Sequence, residues 1–521
     1  MDWIGFGNLW SSNGLKYTII QVGGVESIEI AIRTIFDPIN FLLVVLGVVL
    51  GLLLGILPGL GGVITIALLI PLTFGMDPLV AFMLLTAALA GTNFGGSITS
   101  ILINTPGSAP NAATLLDGYP MSRDGRAGEA IGASAASSAL GAFFGIFVLV
   151  ITIPIMLNFV LLFSPPEIFW LGVWGLTVIA VVVNGSVITG LISACAGFLF
   201  ALHGINQMTA TVRWDYGLSF LRDGMPLVPA LIGLFAVAEM IKLVSEGGSI
   251  DNSNNTKVGG GQWKGAMSVI KNKWLFARSA SVGAIIGVIP GVGGAAANYI
   301  AYFQATQSSS NSDSYGNGDI RGVIAPEASN DAKDGTGFLP TLGLGVPGSA
   351  SMAVLLGAFV LHGITPGPGL FVENLDIVST IIIALLIGNI ISSLIGMAFA
   401  DKLVYVTQID TRILAPFVLA IAFFGSFAIS GNIYMVFITM FFGLLGFAMI
   451  KVDMSRIPMV LALVLAPIVE ENLFRSLQIS DGDIGIFIRS TLTILLISLV
   501  ILSLASPLIR PFINKKFLGG A

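Results

Sequence analysis

The chain runs to 521 residues, of which 55% are hydrophobic and only 10% charged, with a formal net charge of -5. Soluble domains carry about 25% charged residues, so a purely water-facing fold is excluded and a bilayer must solvate part of this surface. The small charge leaves no footprint for nucleic acid, and the single cysteine, Cys195, allows neither a disulfide framework nor a thiolate metal site.

At the N-terminus, Asp2 stands where a signal peptide is basic, and no apolar core follows soon enough for one. Val25, Ile28, Ile32 and Ile35 share a helical face, with Glu26, Glu29 and Arg33 off it. This predicts an interfacial segment over residues 1–36. Long apolar runs follow at 41–57, 143–163, 377–397 and 491–505. Their apolar residues are contiguous rather than alternating, so they read as spanning helices and not as barrel strands. The expected fold is an all-α polytopic membrane protein with roughly 10–14 membrane segments.

Two stretches recur. GILPGLGG (Gly55 to Gly62) is followed by NTPGSA (Asn104 to Ala109), and GVIPGVGG (Gly287 to Gly294) by GVPGSA (Gly345 to Ala350). The recurrence divides the chain into a first half at 37–244, a flexible Gly/Asn/Ser-rich linker at 245–273 and a second half at 274–521. A further polar stretch at 307–318 reads as a mobile exposed loop. Basic residues favour the cytoplasmic side. They cluster where the second half opens (Lys271, Lys273, Arg278), whereas none follows Arg33 where the first half opens, and they follow the first PGSA element (Arg123, Arg126) but not the second. The halves are therefore expected to form an inverted-topology repeat with broken or re-entrant helices, as in many secondary transporters. The linker and the basic tail at 510–516 then fall on the cytoplasmic side.

Each PGxGG element interrupts an apolar run. Proline removes a donor and glycine relaxes the backbone, so helix hydrogen bonds fail there. Such a break is either a kink at a small-residue helix contact or a place where freed carbonyls hold a cation. Matching breaks in matching halves favour the second reading. The candidate cation ligands are Pro58, Gly59, Gly61, Gly62, Pro290, Gly291, Gly293 and Gly294, assisted by Asn330. The PGSA elements are either capping turns outside the membrane or helix starts that offer N–H groups and hydroxyls to a carboxylate. The candidate substrate residues are Thr105, Pro106, Gly107 and Ser108, then Val346, Pro347, Gly348 and Ser349, with Asn93, Ser97 and Asn104 on the approach.

Glu327, Asn330, Asp331, Lys333 and Asp334 either end an exposed loop or place a buried acid on a transport path. Glu239 beside Lys242, and Glu470 and Glu471 beside Arg475, read as ion pairs at the membrane edge. His203 and His362 fall in no metal-ligand pattern, and no Walker-type phosphate loop occurs, so the chain is not expected to hydrolyse ATP.

At these motifs the chain resembles the large membrane subunit of the tripartite tricarboxylate transporters, the TctA family. The resemblance runs from about Asp37 to the C-terminus, through NFGGSITSILINTPGSAPNAATLLDGYPM, FSPPEIFWLGVWGL, GVIPGVGGAAANYIAYF, GVIAPEASNDAKDG, LPTLGLGVPGSASMAVLLGAFVLHGITPGPGLF and IVEENLFRSLQISDGD. It implies a translocating subunit of the bacterial inner membrane, not an enzyme. It further implies a small TctB-like membrane subunit and a periplasmic TctC-like solute-binding protein as partners. The cargo is a tricarboxylate or other small organic anion, and an Na⁺ or H⁺ gradient is the driving force. The chain departs from the family in a longer N-terminal stretch. After APE it has Asn330-Asp331-Ala332-Lys333-Asp334 where the family pattern has an Asn-Asn-Ala-type run.

The mechanism expected from both readings is alternating access. The two PGSA elements meet at a shared pocket in the bilayer, and the coupling ion (Na⁺ at the PGxGG carbonyls, or H⁺) binds with the substrate. A channel needs a continuous polar lining, and an embedded enzyme needs a nucleophile, metal set or carboxylate pair clustered in the spans. The sequence favours neither, and it is compatible with a homo-oligomer.

Overall fold

The computed structural model describes residues 26–517 apart from 161, 183–186, 207, 223, 247–257, 368, 404 and 407–410. Most of the expected N-terminal segment, Val25 included, lies outside the described residues. Residues 26–36 form helix α1, in which Ile35 and Ala31 are buried while Ile28 and Ile32 stay exposed. Ile35 enters the protein core, so the predicted apolar face is divided between two environments.

The first half is built from α2 (Pro38–Ile56), α3 (Gly62–Leu69), α4 (Pro78–Ile103), α5 (Ala112–Arg123) and α6 (Ala127–Val160). Asp37 and Asp77 cap α2 and α4, accepting from the N–H groups of Ile39 and Leu79, and a proline opens each helix. Then come α7 (Pro165–Val182), α8 (Val187–Ala201), α9 (Leu227–Ile232), a π-helical turn at Gly233–Val237, and α10 (Ala238–Glu246). A two-stranded ribbon pairs Gly204–Ile205 with Val212–Arg213. After α11 (Gln262–Lys271), the second half has α12 (Lys273–Val288), α13 (Gly293–Gln307), α14 (Arg321–Leu344), α15 (Ala350–Leu361), α16 (Leu370–Glu373) and α17 (Leu375–Leu403). Helices α18 (Thr411–Ala428), α19 (Tyr434–Lys451), α20 (Ile457–Ile479) and α21 (Thr491–Phe517) complete the chain.

Among the described residues, seven helices are long and apolar enough to cross a membrane, and five shorter apolar helices accompany them. Helix α14 is not one of the seven because it carries Glu327, Asp331, Lys333 and Asp334, yet Gly322 to Gly343 is buried throughout. A helix this polar tolerates such a place only when protein shields it from lipid.

The halves repeat in detail. Gly51 and Gly55 of α2 lie so close to Ala88 and Thr92 of α4 that an added Cβ falls inside 3.0 Å of their carbonyl oxygens. Gly283 and Gly287 of α12 meet Ser329 and Lys333 of α14 in the same way. This four-residue glycine spacing lets backbones touch. The halves also clasp each other: Gly141 of α6 packs on Ala328 of α14, and Gly388 of α17 packs on Ala87 of α4.

The two central helices run in opposite directions. Asn93 of α4 bonds Asp334, and Ser97, one turn further along α4, bonds Glu327, two turns earlier in α14. The end of α5 reaches the start of α14, where Asp117 meets Gly318 and Asp319. The end of α15 reaches the start of α4, where the Phe359 ring packs on that of Phe82 with centroids 4.1 Å apart and planes tilted by 32°. The loops that follow α5 and α15 therefore lie at opposite ends of the bundle, as an inverted repeat requires.

Two segments read as loose from sequence are seated. Within the linker, α11 packs on α6, with Gly265 against the Glu129 carbonyl and Gly132 against that of Gln262. The 307–318 stretch is not a free loop. Asp117 Oδ1 accepts from the N–H groups of Gly316, Gly318 and Asp319 at 2.8, 2.9 and 2.8 Å, and Tyr302 donates to Oδ2 at 2.8 Å. One buried carboxylate collects the turn's donors, which the glycine-rich composition alone does not reveal.

Candidate functional site

The two Pro-Gly breaks share a backbone course as far as their first glycine and then part, Gly61 lying at φ −37° and its counterpart Gly293 at φ 76°. Helix α2 ends at Leu57 (φ −78°, ψ 115°) and α12 at Ile289 (φ −84°, ψ 113°). Gly59 and Gly291 follow with φ of 83° and 78°, a region that favours glycine. Central helices α4 and α14 both end in a left-handed residue, Asn104 (φ 57°) and Gly345 (φ 69°). Ser108 and Ser349 are then extended, at φ −147° and −150°, immediately before the next helical segment.

These elements interlock. The Gly59 N–H donates to the Gly107 carbonyl at 3.2 Å. Gly107 sits against Gly55 and Gly96, and its counterpart Gly348 sits against Gly287 and Gly337. Gly61 abuts Ser108 of its own half, whereas Gly62 abuts Ser351 of the other half. Gly294 reciprocates by abutting Pro110 of the first half, and it also faces the Lys333 ammonium. The start of α3 thus meets the start of α15, and the start of α13 meets the first PGSA element.

The candidate hydroxyls and carbonyls have definite partners. Ser349 Oγ accepts from Met352 N–H at 3.4 Å, and Thr105 Oγ donates to the Ile103 carbonyl at 3.2 Å. Ser108 Oγ donates to Asn111 Oδ1 at 2.5 Å. Val346 turns away from the breaks and packs with Leu171 and Leu496. Ser97 is drawn to Glu327 rather than to the PGSA turn. Pro58, Pro106, Pro290, Gly293 and Pro347 lie in the breaks and turns themselves.

Beside the breaks lies a buried polar ladder on α14. Glu327 accepts from Ser97 at 2.8 Å, Ser134 at 2.9 Å, Ser138 at 3.1 Å and from Thr114. Asp334 pairs with Lys333 and accepts from the Asn93 amide. Asn111 Nδ2 ties the cluster to the first PGSA element, donating to the Asn93 carbonyl at 3.1 Å and to Ser97 at 2.8 Å. Asn111, Thr114, Ser134 and Ser138 went unnoticed in the sequence. The signal that could have found the last two is a pair of serines four residues apart on an otherwise apolar helix.

A second charged cluster borders the first break. Glu239, 8% exposed, accepts from Lys242 at 3.2 Å and Arg456 at 3.1 Å, and its carboxylate faces Gly59. Arg456 also caps the π-helical turn through the Leu234 carbonyl at 2.9 Å. Elsewhere, Glu470 pairs with Arg213 and Glu471 with Arg475. His203 Nδ1 lies 3.1 Å from the Phe200 carbonyl, and His362 Nε2 lies 3.0 Å from Thr73 Oγ, so both close helix ends.

The model of the tripartite tricarboxylate transporter TctA family matches residues 41–461, which contain both breaks, both PGSA elements and α14. The chain belongs to the TctA family. Two proteins of Agrobacterium vitis are similar to it. One, an uncharacterized 52.8 kDa protein of the TAR-I ttuC′ 3′ region, is 33% identical over 507 residues, covering 94% of this chain and 98% of that protein. The other, from the TAR-II ttuC′ 3′ region, is 33% identical over 234 residues, covering 45% of this chain and 97% of that protein. No solved structure matches. Membership makes this TctA-family chain a component of a tricarboxylate transport system, and its apolar helices make it a multi-pass membrane protein.

Proposed function

We propose that this chain is the translocating subunit of a secondary transporter that takes up a small organic anion, a tricarboxylate or other carboxylate, by alternating access. It works in the bacterial inner membrane with a small TctB-like subunit and a periplasmic TctC-like binding protein. Uptake is driven by an Na⁺ or H⁺ gradient, and no chemical step is catalysed.

The reciprocal contact of broken helices carries this reading: Gly62 on Ser351, and Gly294 on Pro110 and Lys333. Helix starts present N–H groups and the positive end of the helix dipole. Here the start of α3 meets that of α15, and the start of α13 meets Pro110 beside Lys333, whose ammonium is shared with Asp334; such N–H groups are a setting for a carboxylate. Because each half contributes one side, a shift of one half against the other opens the site to alternate faces.

The test is uptake of labelled organic acids into proteoliposomes that hold this chain, the small subunit and the binding protein, with Na⁺ and pH gradients imposed separately. Gradient-dependent accumulation that requires the binding protein is expected. Currents far above carrier turnover, or substrate consumed without compartments, refute it.

A further inference from the structure

Glu327, Asp331 and Asp334 are four and three residues apart, so they stack along one face of α14. Their surroundings differ. Glu327 is held by hydroxyls of Ser97, Thr114, Ser134 and Ser138, which between them reach both of its carboxyl oxygens. Asp334 has Lys333 and Asn93. Asp331 is 1% exposed, and among the described residues neither of its carboxylate oxygens has a well-formed hydrogen bond; the hydroxyl that acts on it, Ser138, already donates to Glu327. The side-chain oxygen of the adjacent Asn330, also 1% exposed, has no partner among the described residues.

The charged groups acting on Asp331 are Asp334, Glu327 and Lys333, and the lysine is already paired with Asp334. Helices α4 and α13 contain no charged side chain. Helix α6 meets this stretch of α14 through Ser138, Gly141 and Gly145. The charges of α12, Lys273 and Arg278, lie in its first turns, one or more turns before the Gly283 and Gly287 contacts with α14. A bare carboxylate so placed is too costly to persist, so it must be neutralised by a small cation.

We infer that Asp331 carries the coupling cation, a proton or a sodium ion, with Glu327, one turn earlier on the same face, as a positioning residue. This rests on the gradient-driven uptake proposed above, and it moves the ion site from the Pro-Gly breaks to the middle of α14. The shift of 241 positions that superposes Asn93 on Asp334 places Ala90 opposite Asp331, so each chain has one such site. Neutralised, Asp331 can stay packed against the small residues of α6. Bare, it draws water and favours an arrangement in which α14 is hydrated. The ion therefore stabilises one state over another, which is what coupling requires.

The test uses the full chain in lipid nanodiscs. Unfolding temperature is measured in NaCl against choline chloride at matched ionic strength, and in acid against alkaline buffer. Wild type is expected to be stabilised by Na⁺ or by acid, and the effective arm identifies the ion. Asp331→Asn should lose that response, and Asp331→Glu should restore part of it. Should Asp331→Asn fail to fold, hydrophobic carbodiimide labelling of wild type, read by peptide mass, still decides. Asp331 should be labelled, with protection by NaCl or loss of labelling at alkaline pH.

A wild type indifferent to both ions, an Asp331→Asn variant with the full response, or ion-sensitive labelling at another acid overturns the assignment. If the response maps to Asp331 but the reconstituted complex moves no organic acid, the uptake reading fails and the ion site stands. If Asp331→Asn still accumulates substrate on a gradient, the ion site fails and uptake stands.

Discussion

The two repeat-related glycines of the PGSA turns should respond unequally to the same methyl group. In Gly107→Ala the new Cβ falls inside 3.0 Å of the Gly55 carbonyl oxygen and the Gly96 Cα, both backbone atoms of packed helices that cannot swing aside. In Gly348→Ala it lies 3.0 and 3.1 Å from the carbonyl oxygens of Gly337 and Gly287, so a shift of a few tenths of an ångström accommodates it. Overpacking a filled core costs about 1–3 kcal/mol, and the two variants should sit at opposite ends of that range. The difference of about 2 kcal/mol corresponds to a factor of roughly 30 in the unfolding equilibrium. The assay is the monodisperse fraction surviving a heating series in detergent, followed by chromatography of a fluorescent fusion. Gly107→Ala should lose the folded peak well before Gly348→Ala. A bulky side chain at Gly348 should abolish uptake while the protein still inserts. Equal survival of the two alanine variants, or a reversed order, refutes the packing argument.

Replacing Glu327 by Ala leaves the hydroxyls of Ser97, Thr114, Ser134 and Ser138 without their acceptor and should cost about 1–3 kcal/mol. Glu327→Gln, which keeps one acceptor oxygen, should cost less, as read by yield of monodisperse protein. Ser349→Ala removes the N-cap of α15 and should cost about 0.5–2 kcal/mol, measurable by the same heating series. Asp319 in the turn before α14 is half-buried, and burial raises its carboxyl, but hydrogen bonds from Arg321 and Ser314 prevail and hold it below the usual aspartate range. The folded value is the lower one, so its stabilisation is full above the unfolded aspartate value and is lost as pH falls through the lowered one. Limited proteolysis within 308–320 should therefore quicken in acid, and Asp319→Asn should remove most of that acid dependence.

The repeat was legible because proline and glycine fix the backbone locally. Pro58-Gly59 and Pro290-Gly291 announce the breaks whatever surrounds them, and the structure gives both the same course through Gly59 and Gly291. Inversion was legible only through a few basic residues, and the opposed run of α4 and α14 supplies the geometry behind it. What the sequence hid was burial. Helix α14 is too polar for a hydropathy window, so Glu327 and Asp331 read equally well as a loop end, and only the packing of α4, α6 and α12 around them resolves the choice. Asp117 hid likewise, because a carboxylate that gathers N–H groups from a distant turn leaves no local pattern.

Backbone and charge follow different rules in the two halves. The repeat shift that superposes Ser108 on Ser349 also superposes Thr86, Ala90, Thr92 and Asn93 of α4 on Glu327, Asp331, Lys333 and Asp334 of α14. Four uncharged positions in one central helix are thus four charged positions in its twin, while the glycine contacts beneath them are kept. Symmetric packing lets two arrangements of the bundle be built from similar contacts, so they can lie close in free energy. Charge confined to one of the two helices removes that degeneracy and makes the balance depend on what neutralises it. An ion held on α14 can then bias which arrangement prevails, whereas the same charges spread over both helices would bias neither.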